Sequence, residues 1–281
     1  LFGQPDQRGE HGTHVASTIL AYAPKAKIIN LKVLDEEKSA KNDIPEELQR
    51  DETMTLAYVV KGLQTVYEHN QAVASGKIKG SRIDVVNMSL GAGNNGATMN
   101  YDEMSSWVKK VSDQGVVVVV AAGNDGMDHI CRPGIAPEAL TVGAVDYFNR
   151  TAKFSSSKNV IQTKAGQTYD KPDIWAYGVE VDAARLELKG YAGLSPALLA
   201  KANSGTSMAT PHVVGVTALL IQEARRNGIE LTPAQVKKLF QNNSNPLDDG
   251  NPYLRSDSGV IDPVKAVEFL KKNIKLIKKL F

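Results

Sequence analysis

Val116-Val117-Val118-Val119-Val120-Ala121-Ala122-Gly123-Asn124 is a run of β-branched and small residues without polar alternation, and it reads as a strand buried on both faces. Strands of that kind belong to parallel sheets covered by helices on either side. The run therefore sets the fold class as α/β, with a doubly wound, mostly parallel sheet. Asn124 falls just past the carboxyl end of the strand, the edge at which open parallel sheets bind ligands. A side-chain amide there is well sited to donate to a developing oxyanion.

Downstream, Asn203-Ser204-Gly205-Thr206-Ser207-Met208-Ala209-Thr210-Pro211-His212 presents a serine at a glycine-flanked turn before apolar residues at helical spacing, Val213 to Ala224. Pro211 is expected in the first turn of this helix, where a missing amide hydrogen costs nothing. Ser207 then sits at a helix N-terminus, whose outward amides and partial positive charge favour an anion beside its hydroxyl. The residue is a candidate nucleophile, or else an ordinary helix cap. A base is available in His11-Gly12-Thr13-His14-Val15-Ala16, which opens another helical segment running to Leu20 and places His11 at its start. The histidine precedes the serine, and Met208 and Ala209 follow the serine, which excludes the Gly-x-Ser-x-Gly arrangement of α/β-hydrolases. Helical periods around Leu56 to Tyr67 and Val213 to Ala224 exclude an all-β barrel.

These segments resemble the subtilisin family of serine proteases. His11 matches the catalytic histidine in His-Gly-Thr-His-Val-Ala, Ser207 the nucleophile in Gly-Thr-Ser-Met-Ala-Thr-Pro-His, and Asn124 the oxyanion asparagine in Ala-Ala-Gly-Asn. Ile83 to Gly91 resembles the strand whose end walls the primary specificity pocket. Arg132-Pro133-Gly134 and Leu140 to Ala144 resemble the segment leading from the pocket floor, and Lys171-Pro172-Asp173-Ile174 with Gly178 the approach to the nucleophile. The similarity runs from about Gly9 to about Phe269 of the 281 residues. It implies one subtilisin-like peptidase domain over residues 1–281 and a serine endopeptidase working through an acyl-enzyme. Ser89, Leu90, Gly91, Ala121, Ala122 and Gly123 are expected to line the pocket and pair with a peptide or protein substrate. Their small side chains suggest an open, largely apolar pocket.

The resemblance also calls for an aspartate on a strand some tens of residues before the histidine, and only ten residues precede His11. Asp6 and Glu10 are not assigned that role: neither carries the Asp-Thr-Gly or Asp-Ser-Gly motif, and Glu10 adjoins His11 too closely to reach its Nδ1. Leu1 is not an initiator methionine. The expectation is an N-terminally incomplete domain, with the strand and its acid supplied by an N-terminal partner segment. A catalytically impaired pseudoprotease or binding scaffold is the alternative.

With 42% hydrophobic and 23% charged residues the chain can bury a full core, and a net charge of +2 gives no reason to propose a nucleic-acid partner. No apolar run reaches the roughly 18 residues of a membrane span, and secretion is implied by the resemblance alone. Cys131 is the sole cysteine, so no intrachain disulfide forms. Its thiol either touches the substrate side chain or fills a small core space. No metal site is assigned: the His-Glu-x-x-His signature is absent, although His11 with His14, or His129 with Cys131, could chelate. No cofactor is required. The resemblance leaves open structural calcium, for which Asp248-Asp249-Gly250-Asn251 offers oxygens, and an inhibitory propeptide. Ile28 to Leu34 reads as a strand, and residues 35–52 after it read as a charged surface insertion that either shapes outer subsites or is simply solvated. Residues 263–281 read as a basic amphipathic C-terminal helix with Leu270, Ile274, Ile277 and Phe281 on one stripe, for docking on its own domain or on a membrane.

Overall fold

The computed structural model describes residues 10–33, 52–93, 98–99, 102–163, 165–185, 200–248 and 258–280. The run of valines forms β3 (Val117–Ala121), every residue of it buried. It lies between β1 (Val85–Met88) and β4 (Leu140–Val145), and β7 (Ile174–Tyr177) follows. All three pairings of this four-stranded sheet, in the order β1-β3-β4-β7, are parallel. Continuous apolar strands have two faces to hide, and both are covered. Val117 and Val119 pack with α1 (Glu10–Tyr22), α4 (Thr206–Arg226), α5 (Pro233–Asn242) and α6 (Pro263–Leu280). Val116, Val118 and Val120 pack with α2 (Glu52–Ala74) and α3 (Glu103–Asp113) on the other side. This is the doubly wound α/β arrangement that the valine run implies. Smaller β pieces flank it. They are β2 (Thr98–Met99) with β5 (Lys158–Thr163) and β6 (Thr168–Lys171), and the hairpin of β8 (Val181–Ala184) and β9 (Ala200–Asn203) that leads into α4.

Polar side chains fix the ends of these elements. Asn70 of α2 accepts from Ile83 N at 2.7 Å and donates to Ile83 O at 2.9 Å, which clamps the entry to β1. Next to it, Asp84 receives both terminal nitrogens of Arg225, at 2.8 and 2.6 Å, so the far end of α4 is tied to the same entry. Helix α5 opens with a capping box, Thr232 and Gln235 each bonding the other's backbone amide. Along α6, Ala266, Leu270 and Ile274 face the main core, so the tail docks on its own domain over this stretch.

One sequence expectation changes. Residues 28–33 of the expected strand Ile28 to Leu34 form no ladder, and Ile28 and Ile29 are 43% and 45% exposed. A strand needs a hydrogen-bonding neighbour, and none of the described strands offers one; Leu31 and Val33 pack against the α2 side of the core instead. Residues 35–51 of the insertion and most of the Asp248–Asn251 turn lie outside the described residues. No helix among those described is long and apolar enough to cross a membrane.

The most heavily buried charges lie under β4. Lys171 is 0% exposed at its side chain and donates to Ala139 O, Thr141 Oγ1 and Asp173 Oδ2 at 2.8, 2.9 and 2.6 Å. Asp173 also accepts from Thr141 N at 2.7 Å and pairs with Lys237 at 2.7 Å. Burial pulls the Lys171 ammonium down to about 7. For Asp173 burial pushes upward, but the ammonium groups of Lys171 and Lys237 outweigh it and hold the carboxyl below the usual range. The carboxylate contribution is therefore present above the ordinary carboxylate pKa and is lost as pH falls through the lowered folded value. Asp173→Ala strands a buried ammonium, and urea unfolding at neutral pH is expected to show a loss of about 3–5 kcal/mol. A loss under about 1 kcal/mol would mean the cluster relaxes to water.

Candidate active site

The carboxyl ends of β1 and β3 and the start of α4 meet at one edge of the sheet. Gly205 caps α4 without a side chain, and the helix amides there need acceptors from elsewhere. Thr206 N donates to Asn124 Oδ1 at 3.0 Å, and Thr206 Oγ1 to the same oxygen at 3.1 Å. Because the amide oxygen is committed to two donors, Nδ2 is the end that points away from them. A methyl group built on Gly205 would sit 3.6 Å from Asn124 Nδ2 and 3.7 Å from Ser207 N. Two N–H groups, one from a side chain and one from a helix terminus, thus border the same small volume beside Ser207. An oxyanion placed there would be met by fixed donors and by the positive end of the helix dipole.

Ser207 itself is half-buried. Its Oγ donates to Ser89 O at 3.2 Å, and its carbonyl accepts from Ser89 Oγ at 2.9 Å. Pro211 explains the second bond. The proline lies in the second turn of α4, not the first turn expected from the sequence. With no amide hydrogen it leaves the carbonyl four residues earlier, that of Ser207, without its helical donor. The Ser89 hydroxyl fills the vacancy, and Asn87 Nδ2 in turn donates to Ser89 Oγ at 3.1 Å.

Of the five histidines, three have other uses. His14, 1% exposed, has Nε2 at 2.8 Å from Val181 O and 3.1 Å from Lys201 O, tying α1 to both strands of the β8–β9 hairpin. Those bonds engage its Nε2 in holding the hairpin. His69 bonds Ser81 O at 3.0 Å. His212 contacts the Tyr22 hydroxyl at 3.1 Å, and burial, then the neighbouring His14, pulls its pKa down to about 4. His11 is exposed in the first turn of α1, the helix that packs along α4 through Ile19 and Tyr22 against Gly215. The Ser207 hydroxyl is turned to Ser89 O, so proton transfer to an imidazole needs a rotation about its χ1.

Of the residues expected to line a pocket, Gly91 and Gly123 pack against Cys131, and Ala121 and Ala122 are buried. Gly123, with φ +110°, has the Cys131 thiol against its Cα, and a methyl on Gly91 would lie 2.8 Å from Cys131 Cβ. Cys131 Sγ donates to Asp125 Oδ2 at 3.2 Å; burial, then this hydrogen bond, pushes the thiol pKa up to about 12. A thiol held protonated is not a nucleophile. No group of three or more candidate metal-binding side chains occurs among the described residues. The sequence motifs marked Ser207 and Asn124, but not Thr206, which orients the asparagine, nor the Pro211–Ser89 exchange. A proline four residues after a serine was the available signal for the latter.

The profile of the subtilase family matches residues 3–260. Serine protease AprX of Bacillus subtilis is 29% identical over 279 residues, covering 89% of this chain and 56% of its own length. Subtilisin-like protease 2 of Pseudogymnoascus destructans is 36% identical over 227 residues, covering 79% and 45%. The chain thus spans about half the length of these relatives. Among solved structures, the self-cleaved protease domain of PatA superposes with a TM-score of 0.66 at 24% identity, over 97% of this chain and 87% of that one, a likeness of fold.

Asn124→Asp keeps the acceptor for Thr206 and removes the donor. Its melting temperature is expected to stay within about 3 °C of wild type, while peptide-hydrolysis kcat falls about a hundred- to a thousandfold, the scale set by loss of one oxyanion donor in subtilisin. Equal losses of stability and activity would reduce Asn124 to a structural brace.

Proposed function

The chain belongs to the subtilase family, and on that premise we propose that it is a serine endopeptidase acting on peptide or protein substrates. The observation that carries this reading is the Asn124 amide, anchored by its oxygen on the first turn of α4 with its nitrogen and Ser207 N bordering one volume. In this reading Ser207 Oγ attacks the scissile carbonyl and His11 takes its proton. The carbonyl oxygen, now an anion, is held by Asn124 Nδ2 and Ser207 N. The tetrahedral intermediate collapses as His11 returns the proton to the leaving amine, and water hydrolyses the acyl-enzyme by the reverse sequence. The steps use these side chains, one backbone amide and water. Substrate backbone lies along Ser89 to Gly91 and Ala121 to Gly123.

The acid that orients His11 comes, in the same reading, from a segment laid along the outer edge of β1. What supports this is that edge itself: β1 ends the sheet order, pairs only with β3 among the described strands, and keeps Val85, Val86 and Asn87 half-buried where β3 is wholly buried. An unpaired edge is a template for another strand. The family resemblance brings with it an extracytoplasmic location and an inhibitory propeptide, which fractionation and N-terminal sequencing of the native protein test.

Hydrolysis of an unstructured peptide separates this reading from a scaffold role. Wild type is expected to cleave it, Ser207→Ala to lose all cleavage, and His11→Ala to lose at least about a hundredfold in kcat, the usual worth of a general base. Equal turnover in wild type and Ser207→Ala would overturn the proposal.

A further inference from the structure

We propose that the seam between α1 and α4 is an acid-sensitive latch, in which protonation of His212 releases the helix that bears His11 from the helix that bears Ser207. The two helices approach closely one turn beyond His212. A methyl on Gly215 would lie 2.6 Å from Tyr22 Cβ and 3.0 Å from Ile19 O, so α1 already fills the space over α4. Two imidazoles are held in this seam, His14 from α1 and His212 from α4. His14 is 1% exposed, and His212 is half-buried with its Nε2 atom wholly buried.

The hydrogen-bond partners of these rings suit only their neutral forms. His14 Nε2 lies by two carbonyl oxygens, those of Val181 and Lys201, and carbonyls only accept, so this nitrogen carries the hydrogen. The neutral ring then presents a lone pair at Nδ1. At His212 it is Nδ1 that has a partner, the Tyr22 hydroxyl at 3.1 Å, with the two rings edge to face at a centroid distance of 5.4 Å. Among the described residues, His14 Nδ1 and His212 Nε2 are both buried without a hydrogen-bond partner. Protonation puts a hydrogen on each nitrogen of His212, and the one on Nε2 has no protein acceptor. The titratable groups that face the ring from α1 are Tyr22 and His14, and Tyr22 has Tyr147 and Tyr177 near it. Among the described residues no acidic side chain of the sheet, the β8–β9 hairpin or α6 acts on the His212 charge. A cation formed there is buried, unpaired and beside a second imidazole, and opening the seam hydrates it.

Burial, then His14, holds the ring in the closed seam at about 4 against an ordinary value of 6.5. The seam is therefore at full strength above the ordinary histidine value and weakens as pH falls from there toward about 4. Helix α1 is tied to the β8–β9 hairpin through His14 and through Ala184 N, which donates to Ser17 Oγ at 3.0 Å, whereas the four-stranded sheet is hydrogen-bonded without it. Release is thus confined to α1 and the hairpin it holds, and it parts His11 from Ser207.

Hydrogen exchange of the folded protein at pH 7 and pH 5, read by mass spectrometry and corrected for the intrinsic pH dependence of each amide, tests the latch. In wild type the opening of α1 peptides is expected to rise about tenfold or more from pH 7 to pH 5, while that of β3 changes by less than about threefold. His212→Gln replaces the titrating ring with an amide and should cut the α1 rise to less than about threefold. His212→Phe keeps a ring against Tyr22 and carries the test if the glutamine variant unfolds. No rise at α1 in wild type, a rise shared equally by α1 and β3, or an undiminished rise in a folded variant overturns the proposal.

Discussion

Helix α4 is fastened to strand β1 at both ends, and the placement of Ser207 depends on it. At the far end Arg225 grips Asp84 with two nitrogens, just before the strand begins. At the near end Pro211 removes an amide hydrogen from the helix, and the Ser207 carbonyl it would have satisfied takes the Ser89 hydroxyl instead. Leaving such a carbonyl unpaired in a half-buried site costs about 1–3 kcal/mol, so the bond across to β1 is favoured over any register that would break it. A helix interruption that looks like a defect thus converts an intrahelical bond into a tie between Ser207 and the sheet edge.

The same economy governs Asn124. Helix termini leave amides without acceptors, and at α4 the cap residue is a glycine with no side chain to help. The asparagine at the end of β3 accepts from Thr206, and accepting there leaves its nitrogen as the remaining functional end. The stabilisation of the helix start and the aiming of the Asn124 amide nitrogen are therefore one interaction. Gly178 joins the arrangement from β7 by accepting from Gly205 N at 2.8 Å, so three of the four strands of the parallel sheet hold the turn that carries Ser207.

The valine run announced the buried parallel strand, and the residues around His11, Asn124 and Ser207 announced where elements begin and end, because periodicity and chain breakers are local signals. The interactions that fix the site are not local. Thr206 meets Asn124 across 82 residues and Ser89 meets Ser207 across 118, and no spacing rule links such pairs. Pro211 lies a turn deeper in the helix than a missing amide hydrogen suggests, because a hydroxyl from another element stands in as the donor. Ile28 to Leu34 has the composition of a strand, but pairing is a property of neighbours, and among the described residues it has none. Cys131 packs against Gly91 and Gly123, segments 40 and 8 residues away, and no local pattern links them.

The central claim is that the folded chain makes one serine reactive through an imidazole from α1 and amides at the start of α4. Its most direct test is to treat the folded protein with a fluorophosphonate and locate the adduct by peptide mass spectrometry. The account predicts modification confined to the peptide containing Ser207, slowed at least about a hundredfold in His11→Ala. Labelling spread over several serines, or an unchanged rate without the His11 imidazole, would contradict it.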